Sequence, residues 1–242
     1  MCRLMLANRK GVDYINKQYG LEFLLEDLEL SMGGDGNGIA LRHGRKITTE
    51  KGVFFSTKKA AEKLLSAKYE WCLFHTRLVS TATKQDKHCH PFRYKGNVVA
   101  HNGTDTSLAA LGDMLGITDT EAALKVAVDY GVFPQVLAGF SGVFIGFTAK
   151  GLPFVAKGSY YSDLEYCEQD GAIVFCSELP RKIPARRVKA PFFWYGGKPV
   201  PEKSLEKRKE KVASYYDTAY WYVGSVSRFP TYFEELKKRR GK

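Results

Sequence analysis

The chain has 242 residues, 44 % of them hydrophobic, enough apolar material for one large or two small globular cores. No apolar run approaches the roughly eighteen residues of a membrane-spanning helix, and Asn8-Arg9-Lys10-Gly11 interrupts the short apolar opening, so no signal-peptide pattern forms. Five cysteines without Cys-x-x-Cys spacing argue against a disulfide framework; together these features predict a reduced, cytoplasmic protein with no membrane contact.

Taken in chain order, residues 2–7 read as a short apolar strand. Ile15, Tyr19, Phe23, Leu24, Leu28 and Leu30 recur at roughly helical spacing over 13–30, broken by Gly20. The Gly-rich stretch 33–38, with Asp35 inside it, imposes tight turns before a strand at 39–41. It lacks the Lys-Ser/Thr ending of a phosphate-binding loop. Residues 57–68 pattern as an amphipathic helix with Ala60, Ala61, Leu64, Leu65 and Ala67 on its apolar face. Residues 71–79 read as a buried strand interrupted by polar residues. Residues 97–100 are another, running into His101-Asn102-Gly103. Thr118 followed by Glu121 is a capping box that opens a helix to about Tyr130. Strands follow near 142–148, 153–157 and 172–176. This is an α+β pattern of antiparallel hairpins rather than alternating βαβ units.

The charge of +11 is unevenly placed. Residues 1–180 carry 20 basic and 20 acidic side chains, whereas 181–242 carry 17 and 6. Past Pro184 the texture becomes basic and aromatic, which divides the chain into a domain at 2–184 and an extension at 185–242, partly packed on that domain. Such asymmetry suits contact with nucleic acid or an acidic partner through 181–242, while a solvated basic tail explains the charge equally simply. The aromatic residues there, Trp194, Tyr195, Trp221 and Tyr222 among them, imply that part of the segment is buried.

Cys2 stands directly behind Met1. As a small hydrophobe it fits the start of a buried strand. With Met1 removed it also carries a thiol and a free α-amine on one residue, a nucleophile with its own base, since an α-amine titrates near 8. Three further segments need a common account with it: the Gly-rich turn around Asp35, His75-Thr76-Arg77, and His101-Asn102-Gly103. His88, Cys89 and His90, with Cys72 and His75 upstream, do not have zinc-ligand spacing, because neighbouring strand residues face opposite ways. Neither a metal nor a cofactor is expected.

This arrangement resembles the class II glutamine amidotransferase domain, an N-terminal-nucleophile hydrolase, and most closely its small stand-alone members that begin Met-Cys-Arg-Leu. Asp35 to Ala40, His75 to Arg77, the pair His90-Pro91, His101 to Gly103, the stretch 118–121 and the turn at Ser177 and Glu178 match family motifs in order, over about residues 2–180. Members fused to synthases follow the nucleophile with Gly-Ile where this chain has Arg3-Leu4. The resemblance implies a four-layer αββα sandwich of two antiparallel sheets. It implies Cys2 as nucleophile, Asn102 and Gly103 as the oxyanion donors, Arg77 on the substrate carboxylate and Asp119 on its ammonium, with His75 and His101 flanking as hydrogen-bonding residues. Read alone, Asn102-Gly103 is a hairpin turn, Arg77 a strand-edge ion pair and Asp119 a helix-start charge. The implied reaction is hydrolysis of glutamine to glutamate and ammonia through a thioester. No synthase domain is evident, so the ammonia goes to a separate acceptor enzyme. Two other readings stay open: a different linear-amide or γ-glutamyl amidohydrolase of the same fold, and a binding module that works through the basic extension.

Overall fold

Strand β1 (Arg3–Asn8) sends Leu4 and Leu6 to one side and Met5 and Ala7 to the other, and all four are fully buried. A strand covered on both faces must lie inside a layered structure. A computed structural model of the protein, describing residues 2–80, 83–158 and 162–201, shows those layers.

In the first sheet β1 pairs on one side with β10 (Ala172–Cys176), which continues through β9 (Glu165–Gln169) to β11 (Arg186–Arg187). On the other side it pairs with β4 (Trp71–Thr76), followed by β2 (Asn37–His43) and β3 (Lys46–Gly52). The second sheet runs β13 (Lys198–Pro199), β12 (Phe192–Tyr195), β8 (Pro153–Lys157), β7 (Val143–Phe147), β6 (Asn97–Asn102) and β5 (Phe92–Tyr94). Every pairing in both sheets is antiparallel.

The period of two sorts each strand's side chains between two cores. Leu4, Leu6, Ala40, Leu73 and Phe175 of the first sheet meet Val98, Ala100, Val143, Ile145 and Val155 of the second. Met5, Ala7, Ile39, Cys72, Phe74 and Val174 face the other way. They meet α1 (Arg9–Gln18), α2 (Leu21–Met32) and α3 (Thr57–Ser66) through Val12, Ile15, Leu24, Leu28, Ala60 and Leu64. Each large side chain buried in this way contributes roughly 1.5–3 kcal/mol. Helices α4 (Thr106–Leu115) and α5 (Asp119–Asp129) pair with one another, and α5 covers β5 and β6 on the outer face of the second sheet. The architecture is α+β, helix–sheet–sheet–helix, as the resemblance implies.

The helical run over 13–30 is two helices. Gly20 takes φ +94° between them, a backbone region in which side chains are strained, and the Leu21 amide at the new helix start donates to Asn16 Oδ1 at 3.1 Å. Residues 186–199, beyond the change of texture at Pro184, supply β11 to the first sheet and β12 and β13 to the second. Trp194 is buried there, 5.4 Å from the Trp71 ring. The rest of the basic extension, from 202 onward, lies outside the described residues. No helix among the described residues is long and apolar enough to cross a membrane.

Candidate active site

The same period of two that builds the inter-sheet core also places the candidate residues. Cys2 shares a face with Leu4, Arg77 with Leu73 and His75, Asn102 with Val98 and Ala100, and Ser177 with Phe175. Asn102 ends β6, and Cys2, Arg77 and Ser177 each stand one residue beyond a strand end, at Arg3, Thr76 and Cys176. The last three share one end of the first sheet: β1 runs antiparallel to β4 and β10, with Arg3 opposite Thr76 and Met5 opposite Cys176. His75 ties the second sheet to this end by donating from Nε2 to the His101 carbonyl at 2.9 Å.

Cys2 is 5 % exposed. Its Sγ accepts the Leu78 amide proton at 3.4 Å and lies 3.6 Å from the Leu78 carbonyl oxygen. Burial pushes the thiol up, the Leu78 N–H and the Arg77 guanidinium pull against it, and the Asp119 carboxylate adds to the rise. Arg77 and Asp119, 42 residues apart in sequence, thus both bear electrostatically on the same sulfur.

The segment that holds Cys2 is itself fixed by the Gly-rich turn. Asp35 Oδ2 accepts from the Val79 amide at 2.9 Å, the Asp35 amide donates to the Arg77 carbonyl at 2.9 Å, and the Arg77 amide donates to the Gly36 carbonyl at 2.8 Å. The Val79 N–H, with Lys84 Nζ 3.0 Å from Oδ1, holds the Asp35 carboxyl below its ordinary range against the cost of partial burial. The Arg77 side chain is buried, and Nη1 donates to the Thr83 carbonyl at 3.0 Å.

Asp119 opens α5 behind the Thr118 cap, whose hydroxyl accepts the Glu121 amide at 3.1 Å. Asp119 is 5 % exposed. Its Oδ1 accepts the Thr120 amide at 2.8 Å, while Oδ2 has no hydrogen-bond partner among the described residues and lies 3.7 Å from His101 Nδ1. Asn102 is fully buried at the end of β6, with Nδ2 3.4 Å from Ser177 Oγ and Oδ1 likewise without a partner. Two buried acceptors left unpaired at one site are costly, and such groups are usually satisfied. Gly103 takes φ +151°, and a Cβ there would stand 2.8 Å from Gly142 Cα and from His101 Nε2, so a side chain is excluded.

The histidines form a buried set behind this surface. A carbonyl only accepts, so the contact of His75 Nε2 with the His101 carbonyl and that of His101 Nε2 with the Ser141 carbonyl, 2.9 Å each, fix the proton on Nε2 in both rings. Thr120 Oγ1 links His101 Nδ1 at 3.2 Å to His90 Nε2 at 3.0 Å. Burial pushes His75 down to about 3, His90 well below its ordinary value, and His101 down against the opposing pull of Asp119. Imidazoles held neutral in this way are poor proton acceptors.

The structure thus joins His75 to His101 and Asn102 to Ser177 by hydrogen bonds, and Cys2, Arg77 and Asp119 are all buried. Two contributors were not among the sequence candidates' roles. The Leu78 amide has no side-chain signature. Ser177 was legible as part of the Ser177-Glu178 turn that matches the family motif, but no role was given to it. Among the described residues no three His, Cys, Asp or Glu side chains are grouped to hold a metal ion.

No protein-family model matches the sequence, and neither does any curated protein. Solved structures do match in fold. The glutamine phosphoribosylpyrophosphate amidotransferase from B. subtilis superposes at a TM-score of 0.57 with 17 % identity, over 81 % of this chain and 47 % of that one. A structure described as the allosteric regulatory enzyme of purine biosynthesis gives 0.59 and 19 %, over 83 % and 48 %. A glutamine aminotransferase class-II domain protein from Silicibacter pomeroyi gives 0.52 and 14 %, over 82 % of this chain and 97 % of that one. The chain thus spans about half the length of the first two and nearly all of the third. It shares its fold with these amidotransferase structures, and Cys2 stands directly before the central strand β1.

Proposed function

We propose that this protein is an amidohydrolase that uses Cys2, with Met1 removed, to hydrolyse glutamine to glutamate and ammonia. The observation that supports the reading is a set of buried groups of opposite charge in the same fold as Cys2: a buried cation, Arg77, and a buried carboxylate, Asp119, whose Oδ2 has no hydrogen-bond partner among the described residues. A free amino acid brings the complementary pair, a carboxylate for the planar Arg77 fork and an ammonium for Asp119 Oδ2.

In the reaction, the Cys2 thiol proton passes to the neutral α-amine of the same residue as sulfur attacks the glutamine side-chain carbonyl carbon. The tetrahedral oxyanion is received by the Asn102 amide and the Gly103 N–H, donors of a kind that typically contribute about 3–4 kcal/mol each to the transition state. The C–N bond then breaks, the α-ammonium returns its proton to the departing nitrogen, and ammonia leaves a γ-glutamyl thioester. Water adds to that carbonyl, the C–S bond breaks, and glutamate and the thiol are released. His75, His90 and His101 hold the walls of the site and take no proton. The ammonia is delivered to a separate acceptor enzyme.

The test compares substrates. Purified protein with a free Cys2 amine is supplied with glutamine, with glutamine whose α-amine is acetylated, and with a γ-glutamyl dipeptide, and glutamate release is measured. The reading predicts turnover of free glutamine and a strong loss on acetylation. Release from the γ-glutamyl compound alone favours the related γ-glutamyl amidohydrolase, and release from none overturns the proposal.

A further inference from the structure

Asn102 and Ser177 face each other with their hydrogen bonds incompletely assigned. Both are buried, at 0 % and 1 % exposure. Ser177 Oγ accepts the Leu4 amide at 3.0 Å and lies 3.4 Å from Asn102 Nδ2, so the hydroxyl is used twice as an acceptor while its own proton has no acceptor among the described residues. On the opposite side of the same carboxamide, Asn102 Oδ1 has no partner among the described residues. A buried hydroxyl proton and a buried amide oxygen without partners among the described residues, one bond rotation apart, are an expensive combination.

The two ends of a carboxamide fill nearly the same volume, so hydrogen bonds decide its orientation. A half-turn of the Asn102 amide brings Oδ1 to Ser177. The Ser177 hydroxyl then donates to it while still accepting from Leu4, so each of its functions has a partner. The NH2 group moves to the side now occupied by the oxygen that has no partner among the described residues.

We propose that Ser177 is a positioning residue that sets this orientation: its hydroxyl holds Asn102 Oδ1 and thereby turns the Asn102 NH2 toward the substrate carbonyl oxygen. The inference rests on the reading of Asn102 as an oxyanion donor. It adds a residue that touches no substrate and is anchored to the nucleophile's own strand. The Ser177 amide donates to the Leu4 carbonyl at 2.9 Å and the Leu4 amide donates to Ser177 Oγ, so one residue registers the donor against the strand that carries Cys2.

The experiment is a double-mutant cycle on glutamine turnover with Ser177→Ala, Ser177→Thr, Asn102→Ala and the Ser177→Ala/Asn102→Ala pair. Labelling of Cys2 by a glutamine-analogue electrophile and thermal melting are followed in parallel. Removing an oxyanion donor typically costs on the order of 100- to 1,000-fold in kcat. Ser177→Ala is expected to lower kcat about tenfold or more with KM changed less than about twofold. Ser177→Thr, which keeps the hydroxyl, restores most of the rate. The double variant is expected to be no slower than Asn102→Ala alone, because Ser177 acts only through that amide. Additive losses, or a Ser177→Ala enzyme with unchanged kcat, overturn the proposal. A wild-type protein that neither turns over glutamine nor labels at Cys2 overturns the underlying reading instead, so the two failures are distinct.

Discussion

At the residue scale the site is defined by what its buried groups lack. Asp119 holds a carboxylate oxygen in the protein interior with no hydrogen-bond donor among the described residues. In the free protein that is a cost; with an ammonium bound it becomes a charge-assisted contact. Asp119→Asn removes the charge and leaves Oδ1 to accept from Thr120, so it is expected to leave the melting temperature unchanged or raised while the KM for glutamine rises tenfold or more. A lowered melting temperature with an unchanged KM would make Asp119 a structural residue. Arg77→Lys replaces a planar fork by a point charge, and losing one charge-assisted hydrogen bond typically costs roughly 1.5–3 kcal/mol, so KM is expected to rise by about 10- to 150-fold in steady-state kinetics. Much of this was legible in sequence: Cys2, His75 to Arg77 and His101 to Gly103 were each placed as site residues by their motif order. The unpaired oxygens were not, because pairing is a property of the folded neighbourhood. Nor was the work of Asp35, whose carboxylate binds the Val79 backbone rather than a ligand.

At the scale of elements, periodicity found the strands and helices that are buried on one stripe or two, and missed those held by their neighbours. β1, α3, β6 and α5 carry their own apolar pattern. Strand β3 reads Lys-Ile-Thr-Thr-Glu-Lys-Gly with only Ile47 and Gly52 buried; it is a polar sheet edge, formed because β2 offers it a full ladder. Helix α4 buries only Leu108 and Gly112, and its sequence shows little contrast between faces. The strand expected over 71–79 ends at Thr76, because the Arg77 amide and carbonyl turn away to the Gly-rich turn instead of continuing the ladder. The junction between β6 and the following loop is equally constrained. Gly103→Ala puts a methyl group 2.8 Å from backbone and imidazole at a φ suited to glycine, so the variant is expected to lose at least about 1–3 kcal/mol of stability and most of its activity, read by chemical denaturation and glutamate release. The buried histidines of β4, of β6 and of the segment before β5 add a pH dependence. His75, His90 and His101 are depressed on folding, so below about pH 6.5 the unfolded chain binds more protons than the native one and stability falls as pH falls. For each such histidine the slope is up to about 1.4 kcal/mol per pH unit, beginning near 6.5 and, for His75, continuing toward 3. Thermal melting between pH 7.5 and 5 is expected to show this decline, flattened in His90→Gln; a level profile would contradict it.

At the scale of the whole molecule, two sheets facing each other through an apolar core leave one end where strand termini converge, and Cys2, Arg77, Asn102 and Ser177 stand at those termini, while Asp119 opens α5. The αββα layering itself followed from the family resemblance, since composition and periodicity establish only α+β. It explains why Cys2 sits at 5 % exposure: strand β1, which follows it, is covered on both faces. The central claim is that Cys2, carrying its own α-amine, is the nucleophile. The most direct measurement is the intact mass of the purified protein before and after reaction with a glutamine-analogue electrophile. The account predicts a protein lacking Met1 that gains a single adduct, located on Cys2 by peptide mapping, lost in Cys2→Ala, and retained when Cys72, Cys89, Cys167 and Cys176 are changed singly to Ser. A processed protein that takes no adduct at Cys2, or takes it on one of the other cysteines, would contradict it.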